Sequence, residues 1–338
     1  MLKPLIAIAW VVSLAACASN IRGGAPRRAA SSPRAPLAER EEACVRFPSL
    51  SLPDPPSGFP AQVCWRAPLP EGDTLGECPP TMARITGGTL SVLAPEFARR
   101  TCAVAPFCMD RSEVTVAEYR ACVRAGACVG PNDTVDAVRI EATTQARHGA
   151  FCNARFTDRE EHPLNCVSWP QAVAYCAWRY GAHGAVPTED QWAWAARGAT
   201  ERVYPWGDTL PEPHTANRCG ASCLRALGHA QGEATVDGEG DGYITTAPVA
   251  RFPRGDSPFA IHDLAGNVAE WTRSPYGQYR RAPDGKLAFH AEDPALRVVR
   301  GGAWAHVEEA PLQIDERAWL LLTDRASWVG FRCVVEAE

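Results

Sequence analysis

The chain of 338 residues has only 3 methionines and a single long apolar run, Leu5 to Ala16. That run is too short to span a bilayer stably, and no second run is long enough to cross one. Net charge is mildly negative, −5, and no stripe gathers the lysines and arginines, which argues against a nucleic-acid partner. There is no Gly-x-Ser-x-Gly elbow, no phosphate-binding loop and no internal repeat. Eight histidines are scattered: His148, His162, His183, His214, His229, His262, His290 and His306. None shows the i, i+4 or His-x-His spacing of a metal-binding pair, so each reads as a surface or loop histidine.

What is present begins with an export signal. Lys3 supplies a short positive region ahead of the apolar run, and small residues follow it. Leu14-Ala15-Ala16-Cys17 resembles a bacterial lipobox, which makes Cys17 the expected lipidated N-terminus of the mature protein; an ordinary signal peptide is the plainer alternative. Ala18 and Ser19 follow, with no Asp to hold the protein at the inner membrane, so the expectation is a lipid-anchored envelope protein at the outer membrane. Residues 18–43 are rich in Pro, Ala, Ser and Arg and read as a flexible tether. Its arginines also suit anionic headgroups.

Cysteine is abundant: 14 in all, thirteen of them beyond Cys17. In an oxidising compartment that number points to several disulfides. Local pairs are plausible for Cys122 with Cys128, Cys152 with Cys166, Cys219 with Cys223, and Cys64 with Cys78, and the odd count leaves a thiol over. Zinc competes at Cys219 and Cys223, but no second pair accompanies them.

Residues 44–80 form a proline-rich, cysteine-pinned lead-in, and the domain proper spans 81–338. Three helices open with capping boxes, in which the cap hydroxyl and the side chain three residues on satisfy free N–H groups reciprocally. These are Thr115 with Glu118, Ser168 with Gln171, and Thr188 with Gln191. The first is expected to bury Val116, Tyr119 and Val123. The second presents Ala172, Tyr175, Cys176 and Arg179, and the third stacks Trp192, Ala195 and Ala196. Beyond Gly198 the chain is loop-like, with short runs such as Leu296 to Val299. Long irregular segments in a compact domain are functional or need pinning.

A ladder of short motifs gives this outline a family. It runs Glu113-Val114-Thr115, Cys166-Val167-Ser168-Trp169, Pro187-Thr188-Glu189-Asp190-Gln191-Trp192, Arg197-Gly198 and Tyr204-Pro205-Trp206-Gly207. It ends Gly266-Asn267-Val268-Ala269-Glu270-Trp271, Arg300-Gly301-Gly302-Ala303-Trp304 and Gly330-Phe331-Arg332. In order and spacing it resembles the formylglycine-generating enzyme, or sulfatase-modifying factor, family from about Met82 onward. The resemblance implies an α+β, loop-rich, modified C-type-lectin-like fold.

The resemblance also exposes a departure. Family enzymes bind Cu(I) through two cysteines shortly after Gly-Gly-Ser, and the soft thiolate starts the oxidation of a substrate cysteine. Here no cysteine lies between Gly302 and Arg332. Without a gap the two positions fall on His306 and Pro311. The family serine is Ala303, and the arginine of its Arg-Leu-Pro-Thr motif is Ala185. No copper is expected, and no catalytic residue is assigned.

Other family features are intact. The resemblance implies a structural calcium at the Asn217 side chain, the Arg218 carbonyl, the Asp241 side chain and the Tyr243 carbonyl. It implies a second at Asp263, the Gly266 and Val268 carbonyls, and Glu270. Hard oxygen ligands suit calcium, and solvated loop acids are the plain alternative. An EF-hand reading of Asp237, Glu239, Asp241 and Gly242 fails, because Pro248 stands where the bidentate Glu belongs. The family also pairs Cys176 with Cys333. Its further cysteine at Ala196 and that cysteine's partner are missing together.

Two functions follow as expectations. The leading one is a non-catalytic envelope module that binds an exported protein, peptide or glycan. Its surface is the family's substrate groove, with Trp304 and His306 at the floor and Trp319 and Trp328 beside them; core packing is the plain reading of each tryptophan. The alternative is a metal-dependent oxidase or maturation enzyme acting on exported proteins. Asp315, Arg317, Asp324 and Arg325 read as structural ion pairs.

Overall fold

The computed structural model describes residues 43–46, 62–65, 75–93, 99–131, 134–136, 148–228, 240–281 and 287–336. Cys17, nearly all of the 18–43 tether and most of the lead-in lie outside these residues. Among them, no helix is long and apolar enough to cross a membrane.

Two four-stranded sheets organise the domain. In one, strands β3 (Met82–Ile85), β6 (Phe107–Asp110), β14 (Val334–Glu336) and β7 (Gly184–Ala185) run antiparallel in the order β3-β6-β14-β7. In the other, β12 (Ala318–Leu321), β11 (Leu296–Arg300) and β8 (Ala269–Pro275) are antiparallel, and β13 (Val329–Gly330) joins β8 in parallel. Three antiparallel pairs flank them: β1 (Ala43–Arg46) with β2 (Gln62–Trp65), β4 (Gly88–Leu93) with β5 (Arg99–Val104), and β9 (Gly277–Arg281) with β10 (Leu287–Ala291).

The three expected helices form with all three capping boxes: α1 (Val116–Arg124), α2 (Trp169–Tyr180) and α3 (Glu189–Arg197). A fourth, α4 (Ala221–Ala226), follows Gly220 without a side-chain cap, which is why no capping signal announces it. On α1 the buried stripe is Val116, Tyr119 and Cys122, with Val123 only half-buried. The disulfide to Cys128 draws Cys122 inward at the expected i+3 step. Arg179 lies at the exposed end of α2, over the Tyr180 ring.

Trp169, Trp192, Trp271 and Trp304 are buried together with Tyr119, Tyr175 and Phe331. Trp206 is not core: it lies half-buried, stacked flat on Tyr204 at 5.1 Å. Gly88 is required where the first strands meet α3, because a Cβ there would stand 2.3 Å from the Trp194 ring.

Disulfides pin the irregular chain: Cys122–Cys128, Cys152–Cys166, Cys219–Cys223 and Cys176–Cys333. Cys78 bonds Cys108, correcting the expected partner Cys64. The cause is the sheet, since pairing of β3 with β6 brings the chain just ahead of β3 beside Cys108. Among the described residues no cysteine is free, and zinc has no thiolate at Cys219 and Cys223; the expected leftover thiol lies outside them, with Cys17 and the side chains of Cys44 and Cys64.

Candidate functional site

The loops that follow α3 meet at one end of the β8 sheet. Asn267 N–H donates to the Asn217 carbonyl at 3.0 Å, and Gly266 N–H to that of Gly301 at 2.9 Å. Gly266 sits at φ +86°, and a Cβ there would stand 2.3 Å from the Asn217 carbonyl oxygen. Asp263 and Asn267 also take positive φ, 56° and 53°. The Asp263–Val268 turn is thus wound tightly against Asn217, with backbone strain that glycine relieves at one position only.

Around the first expected ligand set, Asn217 is buried. Its Nδ2 donates to the Thr245 carbonyl at 3.0 Å, while its Oδ1 is buried with no hydrogen-bond partner. Asp241 accepts from Arg218 N–H at 2.6 Å and Tyr243 N–H at 2.9 Å. Burial pushes its carboxyl up to about 6, against those hydrogen bonds. An oriented acid and an orphaned amide oxygen are donors of the hard-oxygen kind.

The second set is built differently from the expectation at one residue. Asp263 accepts from Ala250 N–H at 2.6 Å. Glu270 is already bonded by Arg332, through Nε and Nη2, and by Trp192 Nε1. The orphan is Glu113, whose two carboxylate oxygens are both buried and unpartnered. Burial and the charge of Asp263 push its carboxyl well up. Sequence reasoning placed Glu113 only in the motif ladder. Its signal was an acid two residues ahead of the capping Thr115. Three acids, Glu113, Asp263 and Glu270, thus act on the one guanidinium of Arg332, and among the described residues no three His, Cys, Asp or Glu side chains gather as a metal site without backbone oxygens.

The residues of the expected groove are only partly brought together. His306 and Trp328 are half-buried and meet edge to face at 6.1 Å. Trp304 lies beneath, 1% exposed, donating to the Ser327 carbonyl at 3.0 Å and packing on Phe151 at 5.4 Å. Trp319 stands apart on β12, against Tyr276. His306 Nδ1 accepts from Ala303 N–H at 2.9 Å, so the neutral ring carries its proton on Nε2. Burial pushes the imidazole down to about 4. The position therefore presents an N–H donor rather than a metal-binding lone pair.

Beside Gly302 and Pro311 lies a cavity of about 10 Å³, also lined by Arg300, Glu316 and Arg317. It has room for about one water. The polar residues of the last loop are dispersed. Arg317 and Arg300 pair with Glu189, Asp315 with Arg197 and Arg325 with Asp136, while Asp324 accepts from Leu321 N–H.

These features define a loop-rich α+β domain of the formylglycine-generating-enzyme type. The family model for the sulfatase-modifying factor enzyme 1-like domain matches residues 67–337, and the chain belongs to that family. It is 33% identical over 269 residues to the formylglycine-generating enzyme of Thermomonospora curvata, a match covering 70% of this chain and 84% of that protein. It is also 33% identical over 183 residues to the inactive C-alpha-formylglycine-generating enzyme 2 of Bos taurus, covering 52% of this chain and about half, 51%, of that one. Among solved structures, PvdO from Pseudomonas aeruginosa superposes with a TM-score of 0.57 at 23% identity, over 80% of this chain and 100% of that one, which shows the shared fold.

Proposed function

We propose that this chain is an exported, lipid-anchored protein whose formylglycine-generating-enzyme-like domain binds a protein, peptide or glycan and does not oxidise cysteine. The observation that carries this reading is the donor set. Every described cysteine is in a disulfide, and the 302–332 interval that holds the family's reactive pair contains none. Cu(I) selects soft thiolates. Here an Nε2–H imidazole and a proline stand in their place.

Calcium is the cation the remaining site fits. Asn217, Asp241 and the Arg218 and Tyr243 carbonyls would hold one ion. Asp263, Glu113 and the Gly266 and Val268 carbonyls, with Glu270 alongside, would hold another. Its chemistry there is structural: it neutralises buried acids and fixes loops that have no sheet to lean on. The half-buried pair His306 and Trp328 supplies an aromatic surface for the ligand. Relatives described as active and as inactive both match this chain at 33% identity, so the residues of the site decide between them.

The test is direct. The purified protein is incubated with Cu(I), oxygen, a thiol reductant and a peptide carrying a sulfatase-type cysteine, and aldehyde is captured with a hydrazide. No aldehyde above the protein-free blank is expected. Turnover that persists through purification would overturn the reading and establish an oxidase.

A further inference from the structure

The segment from Asn217 to Cys223 touches two places at once. On one side it contributes to the first calcium-type site: Asn217 Oδ1 is the orphaned oxygen, and Arg218 N–H holds Asp241 at 2.6 Å. On the other side it grips the stretch that carries the candidate groove. Arg218 Nη1 donates to the Val307 carbonyl at 2.7 Å, Cys219 N–H to the His306 carbonyl at 2.9 Å, and Cys223 Sγ lies 3.6 Å from the Trp304 carbonyl. Three residues of one short segment, Arg218, Cys219 and Cys223, thus contact residues 304–307. The Cys219–Cys223 bond closes the loop on itself across a separation of 4 residues.

A disulfide across so short a separation removes little entropy from the unfolded chain, so its effect is local. It fixes the angle at which α4 leaves Gly220, and so keeps the Cys219 N–H and the Cys223 sulfur aimed at the same strand of backbone. A second tie runs from the other set of ligands. Trp304 N–H donates to the Asn267 carbonyl at 2.9 Å, and Asn267 lies between Gly266 and Val268. Residues 304–307 are therefore held by backbone and sulfur contacts to both loops that carry the proposed calcium ligands.

We infer that the Cys219–Cys223 bond and the Arg218 guanidinium are positioning elements that couple calcium at Asn217 and Asp241 to His306, so that calcium sets the edge of the binding groove. The inference rests on the calcium reading above. Coupling of this kind is reciprocal: a groove ligand that favours the ordered 304–307 edge tightens calcium, and calcium tightens the ligand by the same factor.

The test uses calcium alone. The purified protein, labelled with [13C]histidine and stripped by chelation, is titrated with calcium. Calorimetry gives the binding isotherm, and NMR follows the His306 ring, assigned with His306→Gln. The His306 resonances should shift along the calorimetric isotherm. In Cys219→Ser/Cys223→Ser calcium should bind about tenfold more weakly, with the His306 response lost or reduced. Arg218→Met keeps the backbone ligand and the disulfide and removes the Val307 contact together with the Glu309 ion pair. It should weaken the response in part, and it serves if the double variant fails to fold. Calcium binding that leaves His306 unmoved, or variants that respond like the parent, would overturn the coupling while leaving the calcium reading intact. Absence of any calcium binding would overturn both.

Discussion

Arg332 donates through Nε and Nη2 to the two carboxylate oxygens of Glu270, at 2.8 and 2.7 Å, with both side chains at most 1% exposed. The pair joins the last motif of the chain to β8. Arg332 also donates to the His262 carbonyl at 2.8 Å and the Asp110 carbonyl at 3.2 Å, so one guanidinium ties four segments. Its charge is held firmly: Glu270 raises its proton affinity, against burial, which lowers it. Breaking such a pair leaves the other charge buried and alone. Arg332→Met and Glu270→Gln should each cost about 3–5 kcal/mol in urea unfolding. The double variant should cost clearly less than the sum.

Asp110, on β6, is another buried acid. Its Oδ1 accepts from Tyr180 Oη at 2.5 Å and its Oδ2 from Cys333 N–H at 2.9 Å, while burial pushes its carboxyl up to about 7. The folded state thus holds this proton more tightly than the unfolded chain. The stabilisation is fully present below the unfolded pKa near 3.8 and is lost as pH rises through about 7. Asp110→Asn should flatten the fall of Tm between pH 4 and 7. An unchanged pH profile in that variant would place the proton elsewhere.

The disulfides should differ in weight. Cys176–Cys333 closes 157 residues and Cys122–Cys128 only 6. Chain entropy assigns the long bond roughly 3–5 kcal/mol and the short one about 2. Paired Cys→Ala variants measured by denaturant midpoint should keep that order.

Glu113 offers a sign test for the second cation. In calcium-free protein burial and the charges of Asp263 and Glu270 disfavour its ionised form, so the neutral isostere of Glu113→Gln should raise Tm in chelator. In calcium the same variant should lose most of the calcium-induced rise. Differential scanning fluorimetry with and without chelator reads both; a variant that lowers Tm equally in the two conditions would show that Glu113 acts only by packing.

Much of this was legible before any coordinates. The capping boxes at Thr115, Ser168 and Thr188 fixed three helix starts, because a cap is a local hydrogen-bond pattern written in four residues. The motif ladder marked the family, and its pairing of Cys176 with Cys333 is present. What failed depended on distant neighbours. Cys78 finds Cys108 only because β3 pairs with β6, a non-local register that spacing cannot carry. Trp304 and Trp319 do not share one surface with Trp328, since β12 carries Trp319 to Tyr276. Glu113 was hidden for the same reason: its importance lies in meeting Asp263 and Glu270 from far back in the chain.

The central claim is a calcium-held scaffold without the copper dithiolate, and elemental analysis tests it most directly. The purified protein is incubated with calcium, Cu(I) or iron, desalted against a mild chelator, and its metal content measured. The account predicts about two calcium ions per chain and no retained copper or iron. Stoichiometric copper or iron surviving the chelator would contradict it.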